Sequence, residues 1–387
     1  VHSRADGSSS SCDDEYIKVL TENGKRSRST ISLHYSLPYE TVEVLKLEVI
    51  KPDGRVNPID IEQQSRVMTD RSQMAANIYN PNHKILRVTV PDLEVGDIVH
   101  ILSHEETVKP RVPDTWGDYR IFEYTAPLKR IVYEVSGPKD LPLDNIKLAA
   151  EIPGTVTYTS DGTNAGNLYR WEVSDVPRMF PEPNMPRLYT VVQRLLVSTI
   201  PDWAAISRWY WNLSKPHLDA TVPEMEETVK DLTAGLDTRM AVVEALFQFV
   251  SQQIRYMGIT TETEAPGYEP HDVKTTFQNR YGVCRDKAAL LVAMLRLADV
   301  PAYPVLIHTG AKKDEDVPQP YFNHAIVAAE DEDGEYILMD PTDENTKELL
   351  PAYLSNKSFL VAHPEGEKLL TSPIAPAAEN MMHIASR

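Results

Sequence analysis

A change of hydrophobic period near residue 200 divides this chain. Before it, short apolar runs alternate side by side and end in turn chemistry: TVEVLKLEVI before PDGR, KILRVTVPDL before EVGD, and IVYEVS before GPKD. Val42, Val44, Leu47 and Val49 alternate with a slip at Lys46, and Leu86, Val88 and Val90 alternate against Ile85, Arg87 and Thr89. One face of each strand is therefore expected to be buried, as in a sandwich. After PEPNMP and one more strand, LYTVVQRLLVST, helical spacing takes over. Trp203, Ile206, Trp209, Tyr210 and Leu213 fall on one helix face and read as packing that ties two domains together. Further helices are expected after Thr221-Val-Pro and over Met240 to Arg255, the latter with Val243, Leu246, Phe247 and Val250 inward.

The chain is α+β by this reading: an N-terminal all-β, sandwich-like domain, then a helical half joined to an antiparallel sheet. The expected organisation is a loose polar segment over 1–15, a β domain over 16–200, an α+β domain over 201–370, and a linker over 371–387. At 387 residues the chain is long for one core, which agrees with two units. A net charge of −18 and the lack of a basic block longer than two residues, as at Lys312-Lys313, exclude nucleic acid as a partner. No apolar run is long enough to cross a bilayer as a helix. The first residue is valine, so the start reads as processed or cut, hiding any signal peptide.

Only two cysteines are present. Cys12 lies in the polar SSSSCDDE, and Cys284 opens the run CRDKAALLVAMLRL. Cys284, Ala288, Leu291, Leu295 and Ala298 repeat at helical spacing, which places the thiol in the first turn of a helix buried along that stripe. There the helix dipole and free N–H groups favour thiolate, and Arg285 and Lys287 add positive charge. Gly282 permits a tight turn and leaves room for a substrate carbonyl near the Cys284 N–H.

A thiol nucleophile needs a base. NHAIVAAEDEDGEYILMDPTD reads as a hairpin in which His324, Ile326 and Ala328 share one face, as do Tyr336, Leu338 and Asp340. An odd-length loop centred on Glu332 sets His324 opposite Asp340, where a carboxylate can hold an imidazole. A two-residue turn at Asp333-Gly334 would misalign them by one position. His308 and His271 have no acid across a hairpin and read as structural or solvent-facing. EDEDGE lacks the full calcium-loop pattern, and one cysteine with scattered histidines lacks the close ligand pairs of zinc, so no metal is expected.

Tyr281-Gly282-Val283-Cys284-Arg285-Asp286-Lys287, followed by Phe322-Asn323-His324 and Asp340-Pro341-Thr342, resembles the bacterial transglutaminase-like superfamily. PDLEVGDIV, PEPNMP and the tryptophan-bearing segment after residue 201 resemble the β-rich domain of unknown function that precedes this core in many bacterial proteins. The resemblance implies a papain-like core in which Cys284 is nucleophile, His324 base and Asp340 orienting acid, acting on amides of a peptide or protein substrate without a cofactor. Hydrolysis is the expected outcome. Protein-glutamine cross-linking, or a non-catalytic peptide- or glycan-binding module on the same scaffold, are the alternatives. Gln278, Tyr281, Gly282 and Asn323 are the candidates for oxyanion or site-lining roles. By family analogy the protein is periplasmic or secreted, and the chain continues past 371 toward another β-rich domain; the oligomeric state is left open.

Overall fold

The structure is a computed structural model that describes the chain except residues 164, 165, 260–264, 266, 347, 375, 377, 379–383 and 385–387. Two compact units form, meeting in sequence at Thr199 and Ile200, with residues 76–78 and 186–190 counted in the second.

In the first unit an eight-stranded sheet runs in the order Val156–Thr163, Gly166–Val176, Leu128–Gly137, His2–Ser3, Ser9–Lys18, Ile98–Thr107, Glu40–Ile50, Val56–Pro58. Two smaller sheets cover it. Thr30–Ser36, His83–Thr89 and Ser65–Thr69 close a core around Val44, Leu47, Val88 and Val99, and Gly117–Ile121, Arg194–Ser198 and Asn145–Ala149 close another around Trp171, Phe122, Tyr133 and Leu195. Alternation of apolar residues thus yields a sandwich with two cores. The slip at Lys46 is a register shift between Val44 and Lys46 that turns Leu45 outward. Two short helices, Glu22–Arg28 and Ile61–Gln64, interrupt the otherwise β unit.

The expected loose segment over 1–15 is corrected here. Ser9–Lys18 pairs at every position with Ile98–Thr107, and His2–Ser3 joins both Ser9–Lys18 and Leu128–Gly137. Ser3, Ser8 and Ser9 are buried. A strand paired along its whole length with one neighbour, and at Ser9 and Ser10 with a second, has backbone partners in the ladder, so polar side chains do not keep it out of the sheet.

The second unit supplies the labelled elements that follow: α1 (Trp203–Leu218), α2 (Pro223–Thr233), α3 (Arg239–Gln253), α4 (Val273–Asn279), α5 (Cys284–Leu297), and strands β1 (Ala302–Ile307), β2 (His324–Glu330), β3 (Tyr336–Met339), β4 (Ser358–Val361) and β5 (Leu370–Thr371). The sheet is antiparallel throughout, in the order β3-β2-β1-β4-β5. Every residue of α5 from Arg285 to Leu295 is buried, so it is enclosed on all sides rather than along the one expected stripe. Trp203, Ile206, Tyr210 and Trp211 of α1 pack into the core of this same unit around α5, and Trp209 and Leu213 pack against it. The chain stays attached past the expected linker boundary: β5 pairs with β4, the Lys357 N–H donates to Ser372 Oγ, and Ser355 Oγ donates to the Pro373 carbonyl. Most of the expected linker lies outside the described residues. No described helix is long and apolar enough to cross a membrane.

Candidate active site

Cys284 stands at the first position of α5, and the approach to it is fixed by hydrogen bonds. Val283 caps the helix with an extended backbone but no side-chain acceptor. The buried Asp286 does that work instead. One carboxylate oxygen accepts the Val283 N–H at 3.0 Å; the other accepts the His271 N–H at 2.9 Å and lies 3.1 Å from His271 Nδ1. Burial pushes the Asp286 carboxyl up, but the His271 hydrogen bond and the Arg285 charge outweigh it, and the pKa is lowered; His271 is correspondingly raised by Asp286.

Gly282 pairs in parallel with Tyr256 through the short strands Arg255–Tyr256 and Tyr281–Gly282. A Cβ on Gly282 would lie 2.6 Å from Asp286 Cβ and 3.1 Å from Thr276 Cγ2. Its backbone is not left-handed, so close packing of α4 and α5, and not a left-handed turn, accounts for the glycine.

The thiol faces His324. Burial alone would raise the Cys284 pKa; the hydrogen bond and charge of His324, with the Ala325 N–H, outweigh it and lower the pKa. Lys287 takes no part in this. Its ammonium turns away to donate to the Ser251 carbonyl at 3.1 Å and the Ile254 carbonyl at 2.6 Å, closing the end of α3, and burial pushes its pKa down to about 8. The expected contribution of Lys287 to the thiolate is therefore replaced by that of His324.

His324 Nε2 donates to Asp340 Oδ2 at 2.9 Å, which leaves Nδ1 for the sulfur. Burial opposes charge on this imidazole, yet Asp340 and Cys284 together raise its pKa. Asp340 is 1% exposed and accepts three further bonds: from Tyr353 Oη at 2.7 Å, Thr342 Oγ1 at 2.7 Å and the Thr342 N–H at 3.1 Å. Burial would raise the carboxyl, but His324, Thr342 and Tyr353 hold it below the usual range. The result is a continuous thiol, imidazole and carboxylate chain whose charges favour thiolate beside imidazolium.

The hairpin that brings His324 to Asp340 differs from expectation by two residues. Its loop spans 331–335, centred on Asp333, and Asp331 Oδ1 accepts the N–H groups of Asp333 and Glu335. The register pairs Val327 with Met339, so Asp340 lies across from Ile326, diagonal to His324. Odd length keeps both side chains on one face, and diagonal neighbours are within reach of long side chains.

Among the described residues no hydrogen bond joins the four accessory candidates to Cys284. Gln278 is exposed on α4, and Tyr281 is 41% exposed beside the parallel strand pair. Asn323 is tied to the loop after β1, with Oδ1 accepting the Thr309 N–H at 2.9 Å and Nδ2 donating to Thr309 Oγ1 at 2.8 Å. Gly282 is consumed by packing. Sequence reasoning missed Tyr256, whose hydroxyl is hydrogen-bonded to both the side chain and the backbone of Cys284 and whose pKa is raised, first by burial and then by the Cys284 charge. It also missed Thr342 and Tyr353. Among the described residues no cluster could hold a metal.

A thiol on a helix start facing a carboxylate-held histidine, on a helical half joined to a curled antiparallel sheet, defines the transglutaminase-like class of fold. Residues 226–341 match the transglutaminase-like superfamily core, and residues 5–180 match DUF3857, a domain of unknown function with a solved structure. The chain carries a transglutaminase-like core and, on its N-terminal side, a DUF3857 domain. A protein from Parabacteroides distasonis, described as a candidate protease, shares the fold at 17% identity and a TM-score of 0.73 over 97% of this chain and 70% of its own. Two others superpose more loosely. A candidate cysteine protease from Cytophaga hutchinsonii is 11% identical, covers 87% of this chain and 78% of its own, and has a TM-score of 0.25. The periplasmic domain of TgpA from Pseudomonas aeruginosa is 15% identical, covers 79% and 94%, and also gives 0.25. No curated protein matches the chain.

Proposed function

We propose that the second unit is a thiol-dependent amidase acting on peptide or protein amides, with Cys284 as nucleophile, His324 as acid and base, and Asp340 as the group that orients His324. The hydrogen-bonded chain from Cys284 through His324 to Asp340 carries this reading. The Cys284 thiolate attacks the carboxamide carbon, and the His324 imidazolium gives its proton to the departing amine, leaving a thioester and a neutral imidazole. Water then attacks the thioester while His324 takes a proton from it, and the carboxylate product leaves as the thiolate is restored. An amine in place of water would give cross-linking by the same steps. Hydrolysis is the outcome we assign, and a periplasmic or secreted setting follows from the family resemblance.

Negative charge develops on the carbonyl oxygen during both attacks. The Cys284 N–H and the Tyr256 hydroxyl meet beside the sulfur, and a phenol with a raised pKa stays protonated and able to donate. Tyr256 is thus assigned as the second oxyanion donor, in place of Gln278.

Thiol reactivity tests the proposal. Cys284 is expected to react with iodoacetamide near neutral pH far faster than the exposed Cys12, and faster than in a His324→Ala variant. Equal and slow labelling of both cysteines would sink the assignment.

A further inference from the structure

The backbone around Tyr256 is held from three sides. Its neighbours in the chain face the strand Tyr281–Gly282: the Arg255 N–H donates to the Arg280 carbonyl at 2.9 Å and the Met257 N–H to the Gly282 carbonyl at 3.2 Å. Alternate N–H groups of a strand point to opposite sides, so the Tyr256 N–H is turned away from this pairing. Glu344 meets it there, with Oε1 accepting the N–H at 2.7 Å. Toward α3, Lys287 Nζ holds the Ile254 carbonyl, two residues before Tyr256, at 2.6 Å.

Glu344 is exposed and lies in the segment that leaves β3, four residues after Asp340. An exposed loop carboxylate ordinarily stays in water. This one instead bonds to a backbone N–H 88 residues away in sequence. Asp340 opens the same segment, and Thr342 returns two hydrogen bonds to it. One short stretch of chain therefore reaches both the carboxylate behind His324 and the backbone behind Tyr256. Charge ties this stretch to α5 as well: burial lowers the Lys287 pKa, and Glu344 is the strongest of the charges that oppose it, ahead of Asp340 and Asp343. Water could satisfy the same N–H, but only an acceptor fixed to the chain also sets where the strand lies.

We propose that Glu344 is a positioning residue for the oxyanion donor: its carboxylate holds the Tyr256 backbone so that the Tyr256 hydroxyl stays beside the Cys284 sulfur. The inference rests on the amidase reading and adds to it a residue that acts only through Tyr256. A strand of two residues, Arg255–Tyr256, is too short to fix a side chain by itself. Misplacement of a group in the site by about 1 Å can cost about 10²-fold in rate, so a bond at the backbone of Tyr256 bears directly on the chemistry. Because Asp340 lies on the same segment, the proton path through His324 and the oxyanion donor are set together.

Two probes of Cys284 separate this role from thiol activation. Acylation by p-nitrophenyl acetate passes through an oxyanion: the thiolate attacks the ester carbonyl, p-nitrophenolate departs, and a thioester is left on the enzyme. Alkylation by iodoacetamide displaces iodide and forms no oxyanion. Glu344→Ala should slow acylation about tenfold or more and alkylation less than about twofold, and Glu344→Gln, which keeps an acceptor, should regain most of the loss. In a Tyr256→Phe background Glu344→Ala should have no further effect. Carbon NMR of ring-labelled tyrosines reads the same position without any chemistry. The Tyr256 resonance, assigned by its absence in Tyr256→Phe, should move on Cys284→Ala in the otherwise native chain and stay still when Glu344 is also replaced by alanine. An inert Cys284 would remove the amidase reading, and the NMR comparison would then decide the role of Glu344 alone. An unchanged ratio of acylation to alkylation in Glu344→Ala, a loss that adds in full to that of Tyr256→Phe, or a Tyr256 resonance that responds to Cys284→Ala in both backgrounds would overturn the proposal.

Discussion

Replacing Asp340 by Asn removes one charge from a site in which every neighbour donates. His324 Nε2, Tyr353 Oη, Thr342 Oγ1 and the Thr342 N–H all give hydrogen bonds to the native carboxylate. A carboxamide offers one acceptor oxygen and an NH2 group that must face a donor. The His324 bond then loses its charge assistance, worth about 1.5–3 kcal/mol for a buried bond to a charged group. At about 1.4 kcal/mol per pKa unit, the imidazolium loses about one to two units of its elevation, and the thiolate it stabilises becomes rarer by a factor of about 10 to 100. The sign follows from the native shifts: Cys284 is lowered and His324 raised, so the ion pair persists from below the usual thiol range to above the usual imidazole range. In Asp340→Asn the acid limb of the alkylation profile should move toward higher pH by about one to two units. The rate near neutrality should fall about tenfold or more, while the rate at strongly alkaline pH is kept. Iodoacetamide labelling of Cys284, followed by mass spectrometry across pH, reads this directly. A profile that coincides with wild type would refute the role of Asp340 in charging His324.

Two further outcomes separate the other parts of the site. Tyr256→Phe should lower kcat/KM on any amide substrate by about 10²–10³ as an oxyanion donor is lost, while alkylation of Cys284 changes little by comparison; parallel losses in both would assign Tyr256 to thiol activation alone. Gly282→Ala places a methyl group 2.6 Å from Asp286 Cβ, and chemical denaturation should show a loss of about 1–3 kcal/mol, because both α4 and the first turn of α5 are fixed at that contact. Unchanged stability would mean that this turn is free to shift.

The division of the chain was legible because its hydrophobic period changes, and period is a property of sequence. Cys284 could be placed at a helix start for the same reason, whereas enclosure of α5 on every side depends on partners contributed by α1, α3 and the sheet. Alternation put His324 and Asp340 on one face but could not position the turn, since Asp331 accepting two loop N–H groups selects a centre at Asp333. Tyr256 was hidden: it reaches Cys284 through a two-residue parallel pairing of distant segments, for which no local pattern exists. Lys287 misled, because a charge close in sequence to the thiol points to the end of another helix. The serine-rich start misled in the opposite way, its polar composition concealing a strand paired along its whole length with Ile98–Thr107.

The central claim is that Cys284 forms an acyl-enzyme with an amide substrate that is resolved by water. Exposing wild type and Cys284→Ala to one diverse peptide mixture, with mass spectrometry of both the peptides and the Cys284-bearing fragment, tests it most directly. The account predicts new peptide termini or deamidated side chains with wild type alone, and a transient thioester on Cys284. Identical peptide profiles for the two proteins, with Cys284 never acylated, would contradict it.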